Sequence, residues 1–530
     1  LNFNLPKETD SLMRMAALAA PVAVGVTAFA LVLEFAGSAL RRAGVWMVGG
    51  HTVVSALSLV GGELAREFRE KGRRRVLVIR PGMSDSEAQK ARRAGCVMLG
   101  DGDIEEGALS RSRLYSAQNL FAVDDADTAN IGVAAEALRL VDKEGRGWIR
   151  REPLQIFVQI VDPALRALFA RQPAVAAGSQ RAKMCVFNMF ERIARLTLRD
   201  LPLDYERLQP DDGRRVHLIL VGLGWLGEAL LLQAARVGHY ANRRPLCVTV
   251  FDRDPAVGKA LRWRYTEIEQ VCDVWFHPTT DGEDPKTLET IKNLCSEENA
   301  IPTVMITFMD ETRGLALALS LIRRFEVAVP IRVRSDSGRL LSAKFPDLLA
   351  PNLAVFGSLR DACRPESVLG TDMDVIAKAM HDHHRRTATG RGADDPSLGD
   401  WDALPDDLLQ SNRHAADHME VKLRALGLRS RPSRDRGELR RFTDDEVELL
   451  AELEHRRWNA ERLLAGWKFG ERDVHRRTSP YLIAWNELEP SVQDFDRDQV
   501  RRIPELLRSA GREIVRGDPA ARDESRSSPS

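Results

Sequence analysis

The chain has 530 residues, enough for several domains, each with its own core. Lysine plus arginine and aspartate plus glutamate both total 77, so there is no basic excess to suggest a nucleic-acid partner. The six cysteines are scattered without a CxxC pair, which argues against a zinc site or a disulfide framework and for buried thiols in a reduced compartment.

The first predicted element is the uncharged run Met15–Leu33, "MAALAAPVAVGVTAFALVL". As a helix it would span roughly 28 Å, close to the hydrocarbon core of a bilayer. Arg41 and Arg42 follow it, so the positive-inside rule puts the remainder of the chain on the cytoplasmic side. Residues 1–49 are therefore read as a membrane helix and linker at the cytoplasmic membrane.

From His51 the chain alternates short apolar strands with amphipathic helices, the pattern of doubly wound α/β domains with parallel sheets. Val53–Val54 leads into a small-residue turn, a helix and the strand Val76–Ile79. "CVMLGDGD" and "NLFAVDDADTANIGVAAEALRLV" follow. The same grammar returns at "HLILVGLGWLGEALLLQAARVG", His217 to Gly238, and continues through "LCVTVFDRD" and "TVMITFMDETRGLALALSLIRR". Leu154–Val161 and Val329–Arg334 are read as the strands that close the two copies. Two tandem Rossmann-like domains are expected, over 50–205 and 206–365.

The copies differ where a ligand would sit. In the second, Gly222, Gly224 and Gly227 form GxGxxG between a strand and a helix. The first glycine permits the turn, the second lets backbone approach a pyrophosphate, and the third allows close helix–strand packing. Trp225 and Leu226 complete the turn. Asp252, 30 residues beyond Gly222, ends the next strand where a carboxylate accepts from ribose hydroxyls; Arg253 and Asp310 are added to this candidate site. In the first copy Ala56, Ser58 and Gly61 occupy the glycine positions and Arg80 replaces the acid, so that copy is read as structural or dimerising.

These residues, with "GDGD" and "VDDADTAN", resemble the TrkA-N, or RCK, regulatory domains attached to bacterial potassium channels and transporters. The resemblance covers about residues 50–358. It implies binding of NAD(H) or a related nucleotide without turnover, a homo-oligomer (dimer or tetramer), and a ligand-driven shape change passed to a gate. No potassium-filter sequence such as TVGYG is present.

The C-terminal third carries a second duplication. "IAKAMH" (376–381) matches "LAELEH" (450–455), and "WDALPDDLLQSNR" (401–413) matches "WNELEPSVQDFDR" (485–497) with equal internal spacings. A pseudo-twofold module is expected over 371–510, with a disordered tail over 511–530. "EHRRWNAERLLAGWKFG" and "SPYLIAWNEL" resemble the RyR domain, the non-catalytic repeat of ryanodine receptors and of bacterial proteins. Trp401, Trp458, Trp467 and Trp485 offer faces for stacking a base. Arg457 and Arg472 are read as exposed phosphate partners, and Asn412 completes this second candidate site. His381, His383 and His384 lack the spacing of a tetrahedral metal site.

No GxSxG, Cys–His or Tyr–Lys arrangement is visible, so the chain is read as a non-enzymatic sensor. An NAD(P)-dependent oxidoreductase and a non-binding assembly protein are the alternatives.

Overall fold

The computed structural model describes residues 49–517 apart from 71–74, 80–88, 90, 100–106, 144–151, 171, 173–174, 176–180, 281, 283, 337–349, 370–373, 388–394, 402–403 and 434–438. The run Met15–Leu33, Arg80 and the residues after 517 lie outside the described set. Among the described residues, no helix is long and apolar enough to cross a membrane.

The chain divides into two compact units, Leu1–Gln159 with Gly178–Cys185, and Ile160–Ala177 with Val186–Ser530. The first is built on a six-stranded sheet in the order β3-β2-β1-β4-β5-β6. Its strands are β1 (Thr52–Val54), β2 (Val76–Ile79), β3 (Val97–Leu99), β4 (Asn119–Ala122), β5 (Leu154–Gln159) and β6 (Ala182–Phe187). Helices α1 (Leu59–Glu70) and α2 (Asp127–Lys143) are its long crossovers. The apolar runs of β1, β2 and β4 are wholly buried, as expected for parallel strands covered on both faces.

In the second unit the order is β12-β11-β10-β7-β8-β9, the same topology. Its strands are β7 (Arg215–Val221), β8 (Cys247–Asp252), β9 (Asp273–Pro278), β10 (Ala300–Ile306), β11 (Ile331–Arg334) and β12 (Leu353–Phe356). All five neighbouring pairs are parallel. Helix α3 (Met189–Asp200) precedes the sheet; α4 (Trp225–Val237), α5 (Val257–Arg264), α6 (Pro285–Cys295) and α7 (Glu311–Phe325) connect its strands. Ile219, Val221, Val304 and Ile306 form one core with Leu288, Ile291, Leu317 and Leu321 of α6 and α7. The first sheet carries one strand, β6, beyond the five read from sequence, and the second carries two, β9 and β12, beyond the four read there.

Residues 375–516 form a helical module in this same second unit. Helices α8 (Val375–Thr387), α9 (Asp406–Asp417) and α10 (Met419–Ala425) lead to strand β13 (Leu428–Pro432). Helix α11 (Asp444–Leu464), the short strands β14 (Lys468–Phe469) and β15 (Thr478–Ser479), and helices α12 (Pro490–Arg501) and α13 (Ile503–Ser509) lead to β16 (Arg512–Arg516). Helix α11 begins with a capping box: the Thr443 hydroxyl accepts from Glu446 N, and the Glu446 carboxylate accepts from Thr443 N. β13 and β16 pair antiparallel, from Leu428↔Arg516 to Pro432↔Arg512. Residues 512–516, read from sequence as disordered tail, are thus a paired strand. Backbone pairing with β13 supplies the order that their own two apolar residues do not.

Candidate functional site

The second sheet reverses its strand order between β7 and β10, and the glycine turn leaves β7 at this switch point, where open α/β sheets bind ligands. Gly222 has φ +97°, a conformation that side chains disfavour, and a Cβ there would also stand 2.8 Å from Thr307 Oγ1. A Cβ on Gly227 would come within 2.3 Å of the Gly222 carbonyl oxygen, so that glycine holds α4 against the turn. Gly224, the N-cap of α4, is different: a Cβ there meets nothing within 4 Å. The space above the helix start is open, and the free amides of the first turn face it.

Asp252 stands at the end of β8 beside this turn. Its Oδ2 accepts from Leu223 N at 2.6 Å and its Oδ1 from Asp254 N at 2.9 Å. The carboxylate therefore braces the turn as well as presenting lone pairs to it. Arg253 and Asp310 are exposed, and Asp310 caps α7 by accepting from Arg313 N at 3.1 Å. Leu226 is buried, while Trp225 is 48% exposed at the mouth of the site.

The first copy has the same backbone turn but has filled it. A Cβ on Gly61 would lie 2.0 Å from the Ala56 carbonyl oxygen, the counterpart of the Gly227–Gly222 approach. Ser58, in the position of Gly224, donates to Val123 O and accepts from Gly61 N at 3.1 Å. Its hydroxyl is committed to the turn itself.

In the helical module the two halves repeat one contact. His381 Nε2 donates to Gly399 O at 2.8 Å and its ring meets Trp401 edge-on at 5.9 Å. His455 Nε2 donates to Ile483 O at 2.9 Å and its ring lies 5.8 Å from Trp485. In each half the histidine takes the carbonyl two residues before the tryptophan. His455 Nδ1 lies 3.5 Å from Asp496, so this His–Asp pair is a buried strut with both nitrogens engaged. His383 meets Arg502 at 2.9 Å, and His384 lies 3.4 Å from Ser397, so the three neighbouring histidines point to different partners.

Three of the seven residues of the second candidate site gather: the His455 ring lies 6.1 Å from Trp458 and 5.8 Å from Trp485, and Arg462 bridges Trp458 and Trp467. Arg457 corrects the sequence reading outright: it is 2% exposed and bonded to Glu454 (2.7 Å) and Glu461. Lys422 also bonds to Glu454, and Gln499 donates to it at 3.0 Å. Burial alone would raise the Glu454 carboxyl, but Arg457 and Lys422 outweigh it and hold the group well below the usual carboxylate range. Asn412 donates to Leu408 O within its own helix. Trp401 pairs with His381 and, at 5.8 Å, with the Lys378 ammonium. Trp485 donates to Glu448 at 3.0 Å and has Arg497 over its ring. Arg472 is exposed in the segment between β14 and β15.

Trp458 and Trp467 do come together, through a residue that sequence reasoning missed. The Arg462 guanidinium lies 5.5 Å from the Trp458 ring and 4.9 Å from that of Trp467. Its Nε is buried without a hydrogen-bond partner. The signal was present: Trp458 and Arg462 are four apart on one helix, the spacing of facing side chains.

Fold and site thus define a chain with two Rossmann-type sheets, one open glycine turn at a sheet switch point, and a helical module whose halves repeat a His–Trp contact. Residues 436–516, the second half of that module, match the RyR domain. Among solved structures the chain is similar to GsuK bound to ADP, at 15% identity over 69% of this chain and 84% of that one, with a TM-score of 0.39. It is also similar to a GsuK point mutant, at 14% identity over 70% and 85%, with the same TM-score. No curated protein sequence matches the chain.

Proposed function

We propose that this chain is a nucleotide-sensing regulator that binds NAD(H) or a related adenine nucleotide at the second glycine turn without consuming it. The observation that carries the reading is the turn at the sheet's switch point, glycine-built, braced by Asp252 and open above Gly224. In the bound state the Asp252 carboxylate accepts from a ribose hydroxyl, and the α4 amides meet the phosphates.

Helix α4 gives this site a route outward. Nearly all of it is buried, because one face lies on the sheet and the other carries α3 and the helical module. Gln233 of α4 donates to Asp417 at 2.9 Å, His418 reaches the His239 carbonyl at 3.1 Å, and Arg243 pairs with Glu452 at 2.8 Å. A nucleotide that favours one placement of α4 therefore biases the module as well, provided its affinity differs between the two placements.

The regulated object in this proposal is an ion channel or transporter. The run Met15–Leu33 anchors the chain in the cytoplasmic membrane, and the working form is a homo-oligomer. Full-length protein is expected in the membrane fraction, released by detergent. There, NADH or ADP should raise its unfolding midpoint with no change in NADH absorbance on incubation with candidate carbonyl substrates. Recovery in the soluble fraction removes the anchor; NADH consumption replaces the sensor with an oxidoreductase.

A further inference from the structure

Helix α4 begins with Trp225, whose indole is about half exposed. Trp225 directly follows Gly224, the helix N-cap whose added Cβ would meet nothing within 4 Å beyond its chain neighbours. Arg264, at the end of α5, places its guanidinium carbon 5.8 Å from the Trp225 ring centroid. It is anchored on α4 by Glu228, with Nη1 2.6 Å from Oε2. The Tyr265 hydroxyl donates to the same carboxylate at 3.3 Å. The Arg264 side chain keeps 31% of its surface exposed, against 13% for Glu228. A part-exposed cation thus lies beside an indole at the start of a helix, hydrogen-bonded to Glu228.

The neighbouring cations sit elsewhere around the turn. Arg313 lies over Phe308, whose ring closes the side of the turn next to Gly222. Arg253 directly follows Asp252, at the ribose end. We propose, resting on the nucleotide reading of this turn, that Arg264 is the cation that contacts the ligand's phosphates and makes the site select a diphosphate-bearing nucleotide over a nucleoside. The phosphate draws the guanidinium from Glu228, a monovalent partner, toward a group of higher charge. Trp225 keeps its plane in position, and a planar fork of donors suits phosphate oxygens.

Calorimetric titration of the detergent-solubilised full-length protein with ADP and with adenosine tests this. Wild type is expected to bind ADP more tightly than adenosine. Arg264→Gln should weaken ADP roughly 10- to 100-fold, the scale of a lost charge-assisted hydrogen bond, and leave adenosine unchanged. Glu228→Gln frees the guanidinium and should tighten ADP binding. Unchanged ADP affinity in Arg264→Gln, or an equal loss for both ligands, overturns the assignment. Binding of neither ligand by wild type instead overturns the nucleotide reading, and this proposal with it.

Discussion

Arg457→Ala is expected to lower the stability of the second unit by about 3–5 kcal/mol, the usual consequence of removing one partner from a buried ion pair. The residue is a buried junction: it bonds Glu454 of its own helix, which also receives Lys422 from α10 and Gln499 from α12, and it bonds Glu461 one turn on. Alanine leaves Glu461 without its cation and Glu454 with half its compensation. Arg472→Ala, on an exposed side chain, should change stability by no more than about 0.5 kcal/mol. Urea unfolding of the two variants beside wild type measures the contrast. An Arg457→Ala transition that coincides with wild type would show that the network is not closed.

Acid is expected to unfold the second unit well before its carboxylates titrate. His239 and His414 are held well below their ordinary value by burial and by nearby cations: Arg456 and Arg457, together with the His418 ring, for the first, and Arg236, Arg195, Arg457 and Arg166 for the second. His418, against Glu454 and Lys422, is lowered by burial to about 4, as is His217, which lies 2.8 Å from Thr249 Oγ1 in the sheet. These groups are neutral when folded and take up protons below about pH 6.5 when unfolded. The unfolded state therefore binds more protons as pH falls, so stability is full above that value and declines from 6.5 toward 4. Each such histidine adds about 1.4 kcal/mol per pH unit to the slope. Asp406, which burial raises but Arg166 holds down, contributes only below this window. Urea midpoints at pH 7.5 and 5 give the slope, and equal midpoints would contradict the burial of these rings.

The glycine turn was legible because its cause is local. "HLILV" is apolar enough to mark a strand buried on both faces, and the three glycines report steric needs that Gly222 and Gly227 display directly. The module's duplication was legible for a similar reason: the repeated short motifs carry His381 and His455, Trp401 and Trp485, and these pairs meet although 20 residues separate the first pair and 30 the second. Strand β9 escaped notice because it is an edge, with Trp275, His277 and Pro278 in exposed or half-covered positions that break the apolar run. β16 escaped because its order comes from β13, about 80 residues earlier. Arg457 was misread because burial of a helix charge depends on partners from other segments. Nothing within "EHRRWNAER" distinguishes it from its half-buried neighbour Arg456, which bonds the Arg243 carbonyl.

The two copies of the turn differ at the position of Gly224. Ser58 ties its hydroxyl to Val123 O, whereas the equivalent Gly224 leaves a gap. A Cβ added at 224 meets no atom within 4 Å outside its chain neighbours, so a substitution there is the one expected to separate ligand binding from folding.

Titration of wild type and Gly224→Val with NADH and ADP is the most direct test that this turn holds a nucleotide. Wild type should bind at least one of them saturably, while Gly224→Val keeps its urea midpoint and loses the binding, because the new side chain occupies the pyrophosphate's place. Undiminished affinity in a folded Gly224→Val protein would contradict the account.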